Sequence, residues 1–242
     1  MIFTCARMRY LWVCTLVLFT SISVSVPCAY PEAYIAGQFG MALPSMGKGL
    51  SDIDITTQFL PGTTHSDLAL KSSALIGLKA GYYFKRARWF GLEAEAYNTT
   101  PHIKEQTHSF QNPAVPGVAS GTFQGAHFRV FTLAPVNLMF RYPKYRLQPY
   151  VGIGPALFFA RIRGEGLTPG APASTSDNAR LGVNAKAGLE YYITRHLTAF
   201  GEVKYNYARF NFRENADLFP FPYGFDSTYR MYLVSFGVGY HF

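Results

Sequence analysis

From residue 33 onward the chain alternates apolar with small or polar residues in eight stretches, and an alternation of period two marks a strand with two unlike faces. Ala33 to Leu43 sets Ile35, Phe39, Met41 and Leu43 against Tyr34, Ala36, Gln38 and Gly40. Leu70 to Phe84 sets Ala74, Ile76, Leu78, Ala80, Tyr82 and Phe84 against Lys71, Gly77, Lys79 and Gly81. Phe90 to Tyr97 opposes Leu92, Ala94 and Ala96 to Glu93 and Glu95. His127 to Tyr142 opposes Phe128, Val130, Val136, Leu138 and Phe140 to Arg129, Asn137 and Arg141. Pro149 to Arg161 follows with Val151, Ile153, Leu157 and Phe159 against Gly152, Gly154 and Ala156. Leu181 to Ile193 and Leu197 to Arg209 repeat the pattern, with Asn184, Lys186, Gly188 and Glu190, then Glu202, Lys204 and Asn206, on the polar side. The last stretch, Thr228 to Phe242, places Tyr232, Val234, Phe236, Val238, Tyr240 and Phe242 opposite Ser235, Gly237 and Gly239.

The connections alternate in length as well. Lys85 to Trp89, Pro143 to Gln148 and Thr194 to His196 are short, whereas Pro44 to Ala69, Asn98 to Ala126, Ile162 to Arg180 and Phe210 to Ser227 are long. Each stretch has about the length a tilted membrane-spanning strand needs. Aromatic residues make up 17% of the chain and charged residues only 15%, too little charge for a water-facing surface. No apolar run of helical spanning length occurs after residue 30. An apolar exterior without spanning helices predicts a closed barrel, because only helices and closed barrels pair every backbone group in hydrocarbon.

The start of the chain predicts export. Arg7 and Arg9 precede an apolar stretch from Tyr10 to Val26 and the small-residue exit Pro27-Cys28-Ala29, the layout of a secretory signal peptide over residues 1–29, with residues 30–242 forming the barrel domain. A cut after Ser25 is the alternative. Cys5, Cys14 and Cys28 all lie in this leader, so the mature chain is expected to carry no disulfide. Losing two arginines lowers the net charge from +8 to +6, without the Lys/Arg run of a nucleic-acid patch.

The stretches LIGLKAGYYF, FGLEAEAYN, NLMFRYP, RLQPYVGIGPAL and VSFGVGYHF resemble the small outer-membrane β-barrel family that includes the OmpA-type transmembrane domain. The resemblance implies an all-β fold, an eight-stranded antiparallel up-and-down transmembrane β-barrel in the bacterial outer membrane. It further implies that Phe236, Val238, Tyr240 and Phe242 form the signal read by the barrel-assembly machinery. Pro135 and Pro155 fall inside strands and are expected to mark bulges, since proline cannot donate to the ladder.

Candidate chemistry lies on the inward faces. Lys79, Arg129, Lys186 and Lys204, with Lys71 and Arg141, are expected to meet Glu93, Glu95, Glu190 and Glu202 in the lumen. Pairing Phe84 with Phe90 puts Lys79 opposite Glu95 as a cross-strand ion pair. An eight-stranded barrel is just wide enough to be filled by its side chains, so these charges predict a plug; a narrow porin-like pore for small solutes is the alternative. A second alternative is a lipid-modifying enzyme built on His127, Ser120 and Glu105, although no catalytic motif holds them. No cofactor, metal or nucleic acid is expected. Partners are expected in outer-membrane lipid and lipopolysaccharide around the wall, in the assembly machinery, and in an extracellular ligand reached through the long loops. Trp89, Tyr142, Tyr145, Tyr150, Tyr192 and Tyr240 are expected as an interfacial girdle at the periplasmic strand ends.

Overall fold

The computed structural model describes residues 32–47, 49–54, 64–112, 115–123, 125–164, 174–212 and 225–242. The leader and its cysteines lie outside the described residues. In chain order the strands are β1 (Glu32–Leu43), β2 (Gly49–Asp54), β3 (Thr64–His65), β4 (Ser73–Phe84), β5 (Ala87–Thr99), β6 (Gln106–Asn112), β7 (Val115–Phe123), β8 (Ala126–Arg141), β9 (Leu147–Gly164), β10 (Ser174–Tyr192), β11 (Leu197–Phe212) and β12 (Phe225–His241). Eight of these, β1, β4, β5, β8, β9, β10, β11 and β12, pair antiparallel in sequence order, and β1 also pairs with β12. That last pairing closes the ring and removes its edges.

Alternation separates an apolar outside from a mixed inside. Phe39, Ile76, Leu78 and Phe236 turn 54–71% of their surface outward, whereas Gln38, Lys79, Glu93, Glu95 and Lys204 on the other face keep 6% or less. The wall also outgrows the expected stretches. β9 continues to Gly164, β10 begins at Ser174, β11 runs to Phe212 and β12 begins at Phe225. Segments expected as loops therefore hold ordered strands: β2 joins the far part of β12, and β3, β6 and β7 form a separate three-stranded sheet within the connections 44–69 and 98–126.

Pro135 marks a bulge. Between the pairs Leu133↔Leu157 and Leu138↔Ile153, β8 spends one more residue than β9, and between Ala134 and Asn137 it spends one more than β5. Pro135 and Val136 are consequently both exposed in succession. The extra residue inverts the facing expected for the outer part of β8: Phe128 and Val130 are fully buried inward, and Arg129 faces out. Pro155 makes no bulge of its own; it holds its register with Val183 of β10 and lies across from the bulge in β8.

Candidate functional site

The middle of the lumen holds three carboxylates and three lysines, contributed by strands around the ring. Period-two alternation aims them inward, and the width of an eight-stranded barrel lets side chains from opposite walls meet. Glu95 of β5 accepts from Lys186 Nζ at 2.6 Å, from Asn137 at 3.2 Å and from Gln38 at 3.4 Å, and it is also bonded by Lys204 and Asn184. Glu93 accepts from the Tyr34 hydroxyl at 2.5 Å, is bonded by Lys186, and lies 3.8 Å from Lys79. Glu202 accepts from Lys79 at 3.0 Å, from the Tyr150 hydroxyl at 2.7 Å and from Ser235 at 3.1 Å, with Lys204 at 3.2 Å. The lysines gain aromatic faces too: Lys79 lies 3.7 Å from the Phe200 ring centre and Lys204 4.4 Å from that of Tyr97.

This pairing corrects the expected one in two respects. Lys79 does stand opposite Glu95 in register, yet its ammonium crosses the lumen to Glu202 at 3.0 Å and on its own side comes only to 3.8 Å from the diagonal neighbour Glu93. Cross-strand neighbours project side by side, so a long side chain in a narrow barrel reaches the opposite wall more readily than the adjacent carboxylate. Arg129 and Lys71 are absent from the lumen because both side chains are exposed on the outside.

Towards the short turns lies a second layer. Glu190 is removed from the central carboxylates and meets Nε2 of His241 at 3.0 Å. His241 Nδ1 lies 3.4 Å from the Tyr192 hydroxyl, which accepts from Arg141 at 3.0 Å. The Arg141 guanidinium also donates to the Arg88 carbonyl and stacks 3.7 Å from the Tyr83 ring centre. Tyr150 and Tyr192, expected at the membrane interface, thus point inward and are buried, while Trp89, Tyr142, Tyr145 and Tyr240 face out. Inward glycines make room for this floor. A methyl group at Gly81 would come within 2.5 Å of the Tyr34 ring, and one at Gly237 within 2.3 Å of the Phe200 ring.

On the side of the long connections the lumen turns apolar. Leu50, Leu75, Phe128, Phe158, Phe210, Tyr229, Met231 and Leu233 pack there, each at most 1% exposed. The Phe128 and Phe158 rings lie 6.3 and 6.0 Å from that of Tyr229. Strand β11 reads the layers in order: Thr198, Phe200, Glu202, Lys204, Asn206, Ala208, Phe210 and Phe212 all point inward. Sequence reasoning found the charges and set Tyr34, Gln38 and Asn184 on the inward faces, but missed Tyr150 and His241 and the apolar layer. The inward positions of Tyr34, Gln38 and Asn184 were available from the alternation; their partners across the lumen were not.

The other candidates stay apart. His127 packs its ring against His102 at 4.7 Å, and among the described residues it shares no hydrogen bond with Ser120 or Glu105. Phe236, Val238 and Tyr240 form one outward row on β12 that Phe242 continues just past its end, with Phe236 beside Phe39 and Tyr240 edge-on to Phe242 at 5.2 Å.

A family model described as outer membrane protein beta-barrel domain matches residues 14–242. No curated protein matches the sequence. Among solved structures the chain is similar to the outer membrane protein OprG from Pseudomonas aeruginosa, at 16% identity over 88% of this chain and 96% of that one, with a TM-score of 0.55. It is also similar to Neisserial surface protein A, at 13% identity over 87% and 97%, with a TM-score of 0.47. The likeness to OprG is one of fold.

Proposed function

The chain belongs to the outer membrane protein β-barrel domain family, and on that premise we propose that it serves as a closed, non-enzymatic scaffold of the bacterial outer membrane with a structural or surface-interaction role. The observation that carries this reading is the filling of the lumen by two unlike layers in series. Hydrated ions crossing the barrel would have to displace Lys79, Glu93, Glu95, Lys186, Glu202 and Lys204 from one another, and then part the apolar layer around Tyr229. Neither step is open to a small solute while the side chains stay packed. That no hydrogen bond joins His127 to Ser120 or Glu105 among the described residues speaks against the lipid-modifying alternative.

The row Phe236, Val238, Tyr240 and Phe242 is assigned the role of assembly signal, since the closing strand presents it outward. Extracellular partners belong to the long connections, where β2 joins the wall and β3, β6 and β7 form their own sheet.

Conductance in planar bilayers tests the closed lumen. The wild type and Lys79→Ala are expected to give no steady channels, because the apolar layer remains in both. Adding Phe158→Ala and Phe210→Ala to Lys79→Ala breaches both layers and is expected to give channels. Steady wild-type conductance that Lys79→Ala enlarges or abolishes would establish the pore reading instead.

A further inference from the structure

One sector of the outer wall breaks the apolar pattern. Register places three outward rows side by side on β8, β9 and β10: Phe131, Phe159 and Ala179; two residues further out, Arg129, Arg161 and Asp177; then His127, Arg163 and Thr175. The intervening Phe128, Val130, Ala160 and Ile162 are buried inward, which fixes the direction of the rows. Arg161 grips Asp177 through two contacts, at 2.6 and 2.8 Å. Arg129 stands directly opposite Arg161, and like charges in that position repel. These rows hold three arginines and one carboxylate, so a cleft of about 470 Å³ between Arg129, Phe131, Phe159, Arg161, Asp177 and Ala179 is left with an uncompensated positive rim over an aromatic floor. The Phe131 and Phe159 rings lie 6.1 Å apart at its base.

Height decides what fills it. At about 3.3 Å per residue and a strand tilt of about 40°, the outward stretch from Pro149 to Phe159 rises roughly 25 Å, the height of the apolar band of such barrels. Arg129, Arg161 and Arg163 therefore stand where hydrocarbon gives way to headgroups, at the end away from the short turns. Guanidinium forks match phosphate oxygens bidentately, and an aromatic floor one row below suits an acyl chain.

We propose that this cleft on β8–β10 binds a phosphorylated glycolipid of the outer leaflet, its phosphate held by Arg129 in the cleft and by Arg163 one row above it, Arg161 being engaged by Asp177, and its acyl chain laid along Phe131 and Phe159. The proposal rests on the outer-membrane reading above. A polar or zwitterionic headgroup would leave the arginine pair unneutralised.

Native mass spectrometry of the mature barrel, purified folded from outer membranes and stripped in detergent, provides the test. Bisphosphorylated lipid A is added to the wild type, to Arg129→Gln/Arg163→Gln, to Arg163→Gln alone, and to Lys85→Gln/Arg86→Gln at the opposite end. Retention is expected to fall roughly tenfold in the double variant, by less in Arg163→Gln, and to stay unchanged in the turn variant. Dephosphorylated lipid A is expected to be lost from the wild type. Equal retention by the double variant, equal retention of the dephosphorylated lipid, or displacement by an equimolar amount of phosphatidylglycerol would each overturn the proposal. Membrane fractionation and heat-modifiable mobility of the same proteins separate the two readings: a chain absent from the outer membrane defeats the localisation, whereas a folded outer-membrane barrel that ignores the lipid defeats only the site.

Discussion

Glu95 illustrates what a carboxylate requires at the centre of a barrel. It is 2% exposed and takes hydrogen bonds from two lysines and three amides, so its lone pairs are filled from four other strands. Removing one partner of a buried pair costs about 3–5 kcal/mol, because the remaining charge is left uncompensated. Glu95→Ala leaves three lysines facing two carboxylates, with Lys186 held by Glu93 alone and Lys204 by Glu202 alone, and is expected to destabilise the barrel by about that amount in urea unfolding from lipid vesicles. Glu95→Leu combined with Lys204→Leu removes opposite charges together and is expected to recover much of the loss. If Glu95→Ala unfolds at the wild-type midpoint, the network does not hold the strands together. Glu95 was legible in the sequence because FGLEAEAYN alternates cleanly. Its partners were not, since Gln38 and Asn184 become ligands of Glu95 only once strands distant in sequence curl to face each other.

At the level of elements, β8 carries the least legible feature. A strand read at a strict period of two puts Phe128 outside and Arg129 in the lumen; the single extra residue at Pro135 and Val136 reverses both. The proline was visible in the sequence, but an inward charged face was equally consistent with either side of the bulge. Deleting Pro135 returns β8 to a regular ladder and forces its outer half to turn over, driving Arg129 inward and Phe128 and Val130 out of the apolar layer. A one-residue slip moves a strand's whole apolar set to the wrong face. The deletion is therefore expected to abolish the folded, heat-modifiable form on gel electrophoresis. Pro135→Ala, which keeps the residue count, is expected to retain it, and a deletion variant that folds normally would show that the bulge does not set the facing.

Taken whole, the molecule reverses its polarity part-way along its axis. Where the outside is an apolar belt most of the lumen is charged, and from the level of Phe159 outwards, where the outside comes to carry Arg161 and Asp177, the lumen is lined by Phe158, Phe210 and Tyr229. The apolar-out rule of a membrane barrel thus gives way to the apolar-in rule of a water-soluble sheet on the same strands. The eight spanning strands were legible because the first rule holds over most of each; the outer layer was not, because its alternation has the same period with the meaning of its two faces exchanged. Closure of this wall depends on β12 against β1, where Phe242 donates its backbone N–H to the Ala33 carbonyl at 2.9 Å while its ring lies outside beside Tyr240. Backbone and ring can be separated by mutation. Phe242→Ala keeps the hydrogen bond and removes the ring, so refolding into detergent is expected to match the wild type, whereas the amount of heat-modifiable barrel in the outer membrane of cells is expected to fall several-fold. Deleting Phe242 removes both and is expected to lower both yields. Equal loss in detergent and in cells for Phe242→Ala would assign the ring to stability alone, because a group read only by the assembly machinery has no one to read it in a purified refolding reaction.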